Sequence, residues 1–358
     1  MNHDSERPTR NSDSGSQDRS RSVVISVVIG TFNGSRTLAA ALDALERQSS
    51  DVPFEVIVVN DASTDATLAI ATRPGIRCIT LEKNQGHGHT LNVGLSHARG
   101  EFMAMMDDDC VPPPQWIQRI TDAWKIVSAN VTMIGGTVEP LASDTFNRRY
   151  VGYRKPLIHQ ESGLNESAGL WRRVRYSLAP PAPVEGRRSV YYTVGANMAV
   201  RVSSAREVGG FTEERGAGEE ESLARLLRAK FGFETVQLFP DIVMKHDFQA
   251  PLSDSLRRAR SYGRAHGRNW VRDRDIPTVA PRPLFCGAAT VACAFVNPVL
   301  GIVSALVTPM VIYRGWVRSL RDGVGVEALS YPFVHFIEDV SCDVGFVAGA
   351  LHAIRSHT

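Results

Sequence analysis

Three consecutive aspartates, Asp107, Asp108 and Asp109, close an apolar run from Phe102 to Met106, and Cys110-Val111 and three prolines follow them. Adjacent carboxylates repel one another, and at the mouth of an apolar strand that repulsion is costly unless a cation compensates it. Hard divalent ions such as Mg²⁺ or Mn²⁺ take carboxylate oxygens and fill their remaining positions with water and phosphate. Side chains at i and i+2 of an extended segment point to the same side, so Asp107 and Asp109 can share one ion while Asp108 faces elsewhere. Taken alone, three aspartates fit a solvated acidic turn better. What precedes them in the chain reverses that reading.

An apolar segment from Val23 to Ile29 runs into the polar loop Gly30-Thr31-Phe32-Asn33-Gly34-Ser35, then Thr37 to Gln48 carries alanine and leucine at helical spacing. A second apolar strand, Phe54 to Val59, ends in Asn60-Asp61-Ala62-Ser63-Thr64-Asp65, and a third, Ile76 to Leu81, leads into Asn84-Gln85-Gly86-His87-Gly88-His89 and a helix through Ala98. The fourth strand is the one that ends at Asp107. Strand, polar loop and helix repeated in this way predict a parallel sheet with crossover helices. Ligands of such sheets sit at the carboxyl ends of the strands, so Thr31, Asp61, Gly86 and Asp109 should line one crevice. No GxGxxG follows the first strand and no GxxxxGK[ST] occurs anywhere, which speaks against a dinucleotide fold or an ATP P-loop.

The 358 residues suffice for one sizeable domain and an appendage, and the net charge of +2 argues against a dedicated nucleic-acid binder. Five cysteines (Cys78, Cys110, Cys286, Cys293, Cys342) form no CxxC pair and are odd in number. That pattern suits a reducing compartment without a disulfide framework or zinc site. Residues 1–22 are almost wholly polar and read as a disordered tail. No apolar h-region follows the first basic residues, so a cytosolic catalytic part is expected.

Residues 23–125 resemble the nucleotide-binding half of a family 2 glycosyltransferase with the GT-A fold. The resemblance rests on Val-Val-Ile-Gly-Thr-Phe-Asn at 27–33, Val-Ile-Val-Val-Asn-Asp-Ala-Ser-Thr-Asp at 56–65, Asn-Gln-Gly at 84–86 and Met-Asp-Asp-Asp-Cys-Val-Pro at 106–112. Four motifs in order are specific where any one would be weak. The resemblance implies a doubly wound, mostly parallel α/β sheet, with Thr31, Asn33, Asp61, Asn84, Gly86 and Asp107 on the nucleotide. It also implies Asp107 and Asp109 on a Mg²⁺ or Mn²⁺ ion bound to the sugar-nucleotide diphosphate. Many relatives carry Arg before the Asn of the helix after the third loop; here Leu91 precedes Asn92. The diphosphate would then lean on Lys83, His87 or His89, of which the histidines are equally readable as solvated loop residues.

Further along, Val131 to Val138 reads as a strand, and so does Tyr191 to Arg201, which resembles the family's segment before its acceptor-side helix. Gly209-Gly210-Phe211 follows, then Gly216-Ala217-Gly218-Glu219-Glu220-Glu221-Ser222-Leu223 where relatives have Gly-Glu-Asp before a leucine-containing helix. Alignment on the leucine puts Glu220 at the usual catalytic aspartate, with Glu219 the competing assignment. Taken alone, the three acids fit favourable charge at a helix N-terminus. Phe231 to Val236 and Phe239 to Met244 read as two more strands leading to Lys245-His246-Asp247. A histidine near this point completes the metal shell in many GT-A enzymes, which makes His246 a candidate third ligand beside a purely structural role.

Residues 252–274 carry seven arginines (257, 258, 260, 264, 268, 272 and 274) interleaved with Leu256, Tyr262 and Trp270. They form either a solvated basic helix or a surface for an anionic partner. The run from Leu284 to Tyr313 is free of charge, is interrupted by Pro298 and Pro309, and is too short for two full spans, which need roughly 40 residues. Arg314, Arg318 and Arg321 make its far flank basic too, which favours a re-entrant hairpin or interfacial insertion over a single crossing. Residues 326–354 form a further apolar helical segment in which Glu338, Asp339 and Asp343 are poorly placed for lipid unless paired. The alternative is that these helices pack as a soluble core.

The expected organisation is therefore a 1–22 tail, a 23–250 GT-A domain (23–125 nucleotide half, 126–250 acceptor half), a 251–283 basic helical linker and 284–358 apolar membrane-associated helices. The expected activity is that of an inverting, metal-dependent, hexosyltransferase-type enzyme. It would move sugar from a UDP-, GDP- or TDP-sugar to a glycan or lipid hydroxyl at the cytoplasmic face of the cell membrane. Two readings compete. A sugar-nucleotide nucleotidyltransferase would need a basic, glycine-rich first loop, and Gly30 to Arg36 offers only Arg36. A non-catalytic nucleotide-sugar-binding membrane protein would bind without turnover.

Overall fold

The computed structural model describes residues 24–154, 171, 186–214, 218–248, 251–273 and 281–356. The 1–22 tail, residues 215–217 of the glycine-rich segment and residues 274–280 of the basic linker lie outside them. The first half alternates β1 (Ile25–Thr31), α1 (Leu38–Glu46), β2 (Phe54–Asn60), α2 (Thr67–Ala71), β3 (Ile76–Thr80), α3 (His87–His97) and β4 (Phe102–Met105). These four strands pair in parallel in the order β3-β2-β1-β4. In register, Thr31 lies beside Asn60 and Asn60 beside Thr80, so the three loops that follow leave from one edge.

Strand alternation explains the two cores. Val27, Ile29 and Val58 point to one face and meet Leu38, Leu42 and Leu45 of α1; Val28, Ile57 and Val59 point to the other and meet Leu91 and Leu95 of α3. A sheet covered on both faces needs near-continuous apolar strands, which is what the sequence supplies here.

The second half comprises β5 (Cys110–Val111), α4 (Trp116–Ile126), β6 (Met133–Pro140), α5 (Phe146–Arg154), β7 (Arg188–Ser189), β8 (Met198–Arg201), α6 (Val202–Glu207), α7 (Glu219–Phe231) and β9 (Val236–His246). The sheet continues β4-β8-β6-β9-β5, with β7 also on β9; β8 runs antiparallel to β4 and β6, while β6 and β9 are parallel. The sheet is thus mixed beyond β4.

Two expectations are corrected here. Tyr191 to Arg201 is not one strand: a 3₁₀ turn at Gly195–Asn197 precedes β8. The turn is held by the buried Asn197 carboxamide, which accepts from Trp116 Nε1 at 2.8 Å and donates to the carbonyls of Thr137 and Ile242 at 2.8 and 2.7 Å. Nor are 231–236 and 239–244 two strands. Phe231 ends α7 at Gly232, whose φ of 93° stops the helix, and β9 runs unbroken to His246. The apparent break comes from a register shift, since Gly135 pairs with Leu238 but Thr137 pairs with Val243. Pro240, which cannot donate to a ladder, falls in the skipped segment.

The C-terminal part consists of α8 (Leu252–Asp273), α9 (Pro281–Val296), α10 (Pro298–Ile312), α11 (Trp316–Arg321) and α12 (Tyr331–Ser356). The arginine-rich stretch is one helix packed along α12. Their backbones approach through Gly263 and Gly267 on α8 and Gly345 and Gly349 on α12. A Cβ at these four positions would meet partner backbone oxygens at 1.9, 2.1, 2.2 and 2.1 Å. Two glycine pairs, each four residues apart, permit this closeness. Replacing Gly263 by leucine is therefore expected to cost about 1–3 kcal/mol or more, read as a lower urea midpoint; an unchanged midpoint would show that the crossing relaxes freely.

The acids of α12 are paired rather than bare. Tyr150 Oη donates to Glu338 at 2.7 Å, Tyr313 Oη donates to Asp339 at 2.9 Å, and Arg154 lies 3.3 Å from Glu338 and 3.6 Å from Asp339. Arg282 is 3.8 Å from Asp339. This buried network joins α5 of the sheet domain to the base of the α9–α10 pair, and both acids have the partners that buried charges require.

Candidate active site

The antiparallel pairing of Cys110 with His246 sets the first part of the site. It lays the end of β9 beside the aspartates, and the amide of Asp247 donates to the carbonyl of Asp109 at 2.8 Å. His246 Nε2 then lies 3.2 Å from Asp109 Oδ1 and 3.9 Å from Asp107 Oδ2. One donor atom from each of Asp107, Asp109, Cys110 and His246 falls within 4.8 Å of the others.

The charges in this cluster are unbalanced. Burial, and then the charges of Asp107 and Asp108, push the Asp109 carboxyl up to about 8. Burial holds His246 below the usual imidazole range, so one ring nitrogen keeps its lone pair, and its buried Nδ1 has no hydrogen-bond partner among the described residues. Two carboxylates and a neutral imidazole fit a hard or borderline divalent ion. Cys110 fits less well, because burial raises its thiol well above the usual range and its Sγ donates to the carbonyl of Ala196 at 3.7 Å.

Asp108 turns the other way and accepts a hydrogen bond from Thr31 Oγ1. Gly34 makes room for that pair, since a Cβ there would sit 2.1 Å from Asp108 Oδ2 and 2.4 Å from Thr31 Oγ1. The nearby loops are tied together by side chains. Asp61, buried at the end of β2, accepts from the amides of Gln85 and Gly86 at 2.7 and 2.8 Å, and Asn84 Nδ2 lies 3.5 Å from its carbonyl. Asn33, at a φ of 54°, accepts from the amide of Thr64 at 2.9 Å. Asp65, exposed beside them, is held well below the carboxylate range by hydrogen bonds from Ser35 and Thr67. Thr31, Asn33, Asp61, Asn84 and Gly86 thus meet at one lip of the sheet. Ala62, at a φ of 58°, adds a left-handed non-glycine residue there, a strain typical of functional loops.

Leu91 is a core residue, and Asn92 clamps Phe211 by donating to its carbonyl at 2.9 Å and accepting from its amide at 2.8 Å. His89 is occupied by Glu213 at 3.1 Å and Gln85 at 3.1 Å, and Lys83 is exposed. Of the three candidates for the diphosphate, His87 is the one that packs against the first loop, its Nδ1 3.2 Å from where a Cβ on Gly30 would sit.

The three glutamates at the start of α7 divide by environment. Glu221 is buried and pairs with His266 Nδ1 of α8 at 3.2 Å. Glu219 is buried against Gly88, and burial with the Asp107 charge raises it to about 7. Glu220, beside Gly195, is raised to about 7 by burial and by Glu219. Glu219 and Glu220 therefore both enter the cleft that holds the aspartates, each poised near neutrality as a general base requires.

Helix α8 closes this cleft, which the local sequence did not announce. Arg258 lies close enough to Asp109 and His246 to lower the pKa of both, Tyr262 lies in the field of Glu220 and Asp107, and His266 meets Glu221. Residues 258, 262 and 266 share one helix face at i, i+4 and i+8, and that spacing was the available signal. Arg268 and Arg272 instead pair with Glu214 at 3.4 and 2.7 Å.

Fold and site together define an α/β domain with an acidic cluster at the carboxyl ends of its parallel strands. Residues 26–171 match the family described as Glycosyl transferase family 2. It is 30% identical over 112 residues to the succinoglycan biosynthesis protein ExoO of Rhizobium meliloti (strain 1021), covering 30% of this chain and 32% of that protein. It is 37% identical over 99 residues to the dolichyl-phosphate beta-glucosyltransferase ALG5C of Trichomonas vaginalis, covering 24% of this chain and 29% of that one. The chain thus aligns with about a third of the length of these relatives. Its fold is similar to that of the mannosyltransferase PcManGT of Pyrobaculum calidifontis, solved with GDP-Man and Mn²⁺, at a TM-score of 0.52 and 18% identity over 93% of this chain and 88% of that one. The fold is the GT-A fold.

Proposed function

We propose that this chain is an inverting, metal-dependent glycosyltransferase that moves a sugar from a UDP-, GDP- or TDP-sugar to a hydroxyl of a glycan or lipid held at the cytoplasmic face of the cell membrane. The observation that carries the reading is the meeting, in one cleft, of an acidic cluster with an imidazole (Asp107, Asp109, His246) and two glutamates raised to about 7.

Glu220 takes the proton of the acceptor hydroxyl as its oxygen attacks the anomeric carbon. The bond from that carbon to the diphosphate breaks, its electron pair leaves with the diphosphate, and a base across the ring from the leaving group inverts configuration. A divalent ion held by Asp107, Asp109 and His246 would neutralise charge on the departing diphosphate. Glu219, beside Asp107, supports the cluster, and Thr31, Asn33, Asp61, Asn84 and Gly86 form the wall for base and ribose. His87, beside Gly30, completes this wall.

The named relatives support the donor and acceptor classes: one neighbour of similar fold was solved with GDP-Man and Mn²⁺, and one relative is a dolichyl-phosphate glucosyltransferase. The nucleotidyltransferase reading is weakened because Arg36, the one basic residue of the first loop, is engaged by Asp247 at 3.0 Å. The test is a thermal-shift panel of UDP-, GDP- and TDP-sugars with and without Mn²⁺. One nucleotide class should stabilise the protein by about 2.7 kcal/mol at a hundredfold excess over Kd, and only with the ion. A flat panel would remove the donor assignment.

A further inference from the structure

We propose that the α9–α10 pair is a re-entrant membrane anchor that enters the bilayer tip-first from one face and returns to that face without crossing. This extends the membrane part of the function proposed above and does not depend on sugar transfer.

The two helices form an antiparallel hairpin turned at Asn297-Pro298, where Asn297 caps α10 by accepting from the amide of Val299 at 2.8 Å. Small residues let the helices touch, since a Cβ on Gly301 would lie 2.6 Å from that of Ala294. The hairpin's outer surface is apolar and bare. Phe295 is 88% exposed, Val296 79% and Val299 65% at the tip, and no charged residue occurs between Arg282 and Arg314. Soluble monomers rarely leave contiguous apolar patches of this size in water. Most of the exposed large apolar side chains among the described residues lie between Leu284 and Ile354. On α12 they form a stripe of Ile337, Val340, Val344, Val347, Leu351 and Ile354, continuing the apolar surface at the spacing of one helix face.

Polarity identifies the occupant as lipid. Arg282, over the Tyr313 ring and 3.8 Å from Asp339, fixes the base of the hairpin, where the exposed Arg314 begins a segment continued by exposed Arg318 and Arg321 of α11, with Val317 and Leu320 exposed among them. Cations gather at one end and apolar groups at the other, which complements an anionic headgroup layer over hydrocarbon. A helix of 16 residues reaches about 24 Å, deeper than a leaflet of about 15 Å but short of a full core of about 30 Å. No helix among the described residues is long and apolar enough to cross a membrane, and the turn at Asn297-Pro298 returns the hairpin's two ends to one side.

The test is flotation of the full chain with vesicles of phosphatidylcholine alone or mixed with phosphatidylglycerol, at low and high salt. The wild type should float with both, more strongly with the anionic lipid, and should stay bound in high salt. The double variant Phe295→Asp/Val299→Asp should lose at least about tenfold in partition while keeping its circular dichroism, melting temperature and nucleotide-induced shift. Arg318→Glu should remove only the anionic-lipid increment, about fivefold. A tryptophan in place of Phe295 should be quenched most by lipids brominated deep in their chains. A wild type that does not float, a tip variant that floats equally well, or quenching only at headgroup depth would overturn the proposal. Light scattering that shows a dimer broken by the tip variant, without flotation, would assign the surface to a second copy. A floating protein with no transferase activity would leave the anchor intact and count against the transfer alone.

Discussion

Asp109→Ala is expected to lower sugar transfer by about 10³-fold or more, because the carboxylate that positions a Lewis acid worth several kcal/mol is removed. The same variant should lose the Mn²⁺-dependent part of the nucleotide-induced thermal shift. Its melting temperature without metal should hold or rise, since one of three mutually repelling acids is gone. Chelation should reproduce the loss in the wild type. The pH dependence has a definite sign. Asp109 sits at about 8 in the metal-free protein, so an ion must displace a proton at neutral pH. Metal affinity should therefore rise as pH increases toward 8, read by Mn²⁺ titration. Full turnover by Asp109→Ala, or affinity independent of pH, would dissolve the assignment of Asp107, Asp109 and His246 as a metal set.

The second large effect belongs to Glu220. Glu220→Gln should reduce kcat by about 10²–10⁴-fold with little change in donor KM, the signature of losing a general base rather than a binding group. Because burial and Glu219 raise Glu220 to about 7, its carboxylate form grows as pH rises. The kcat/KM for transfer should increase about tenfold per pH unit below 7 and level off above it. Glu219→Gln is the necessary comparison, since Glu219 titrates in the same range but lies beside Asp107. If Glu219→Gln removes both the rate and the pH limb while Glu220→Gln leaves them, the two roles exchange. Glu221→Gln should act on stability through His266, with the pH limb unchanged.

Much of the nucleotide half was legible along the chain. Its strands are buried on both faces, so apolar runs ending in polar loops marked β1 to β4, and a parallel sheet sends those loops to one edge. Asp108 points to Thr31 as alternation suggested, but the cause is different: the strand stops at Met105, and the aspartates lie in a turn closed by the Cys110 amide donating to the Asp107 carbonyl at 3.1 Å. Reading failed where regularity breaks inside an apolar stretch. Val236 to His246 looks like two strands because its register against β6 shifts, and Tyr191 to Arg201 conceals a turn fixed by the buried carboxamide of Asn197. Neither feature leaves a periodic trace, because each depends on partners tens of residues away.

The sequence by itself determined which acids could do chemistry and which strands would carry them, because alternation and strand ends are local properties of the chain. Only the tertiary structure decided that His246 lies beside Asp109, through the pairing of Cys110 with His246. It also decided that Glu221 belongs to His266 while Glu219 and Glu220 enter the cleft, and that Glu338 and Asp339 have buried partners. It set α8 across the cleft, where four glycines let that helix press against α12. These outcomes depend on the register and close packing of segments far apart in sequence, which local composition does not encode.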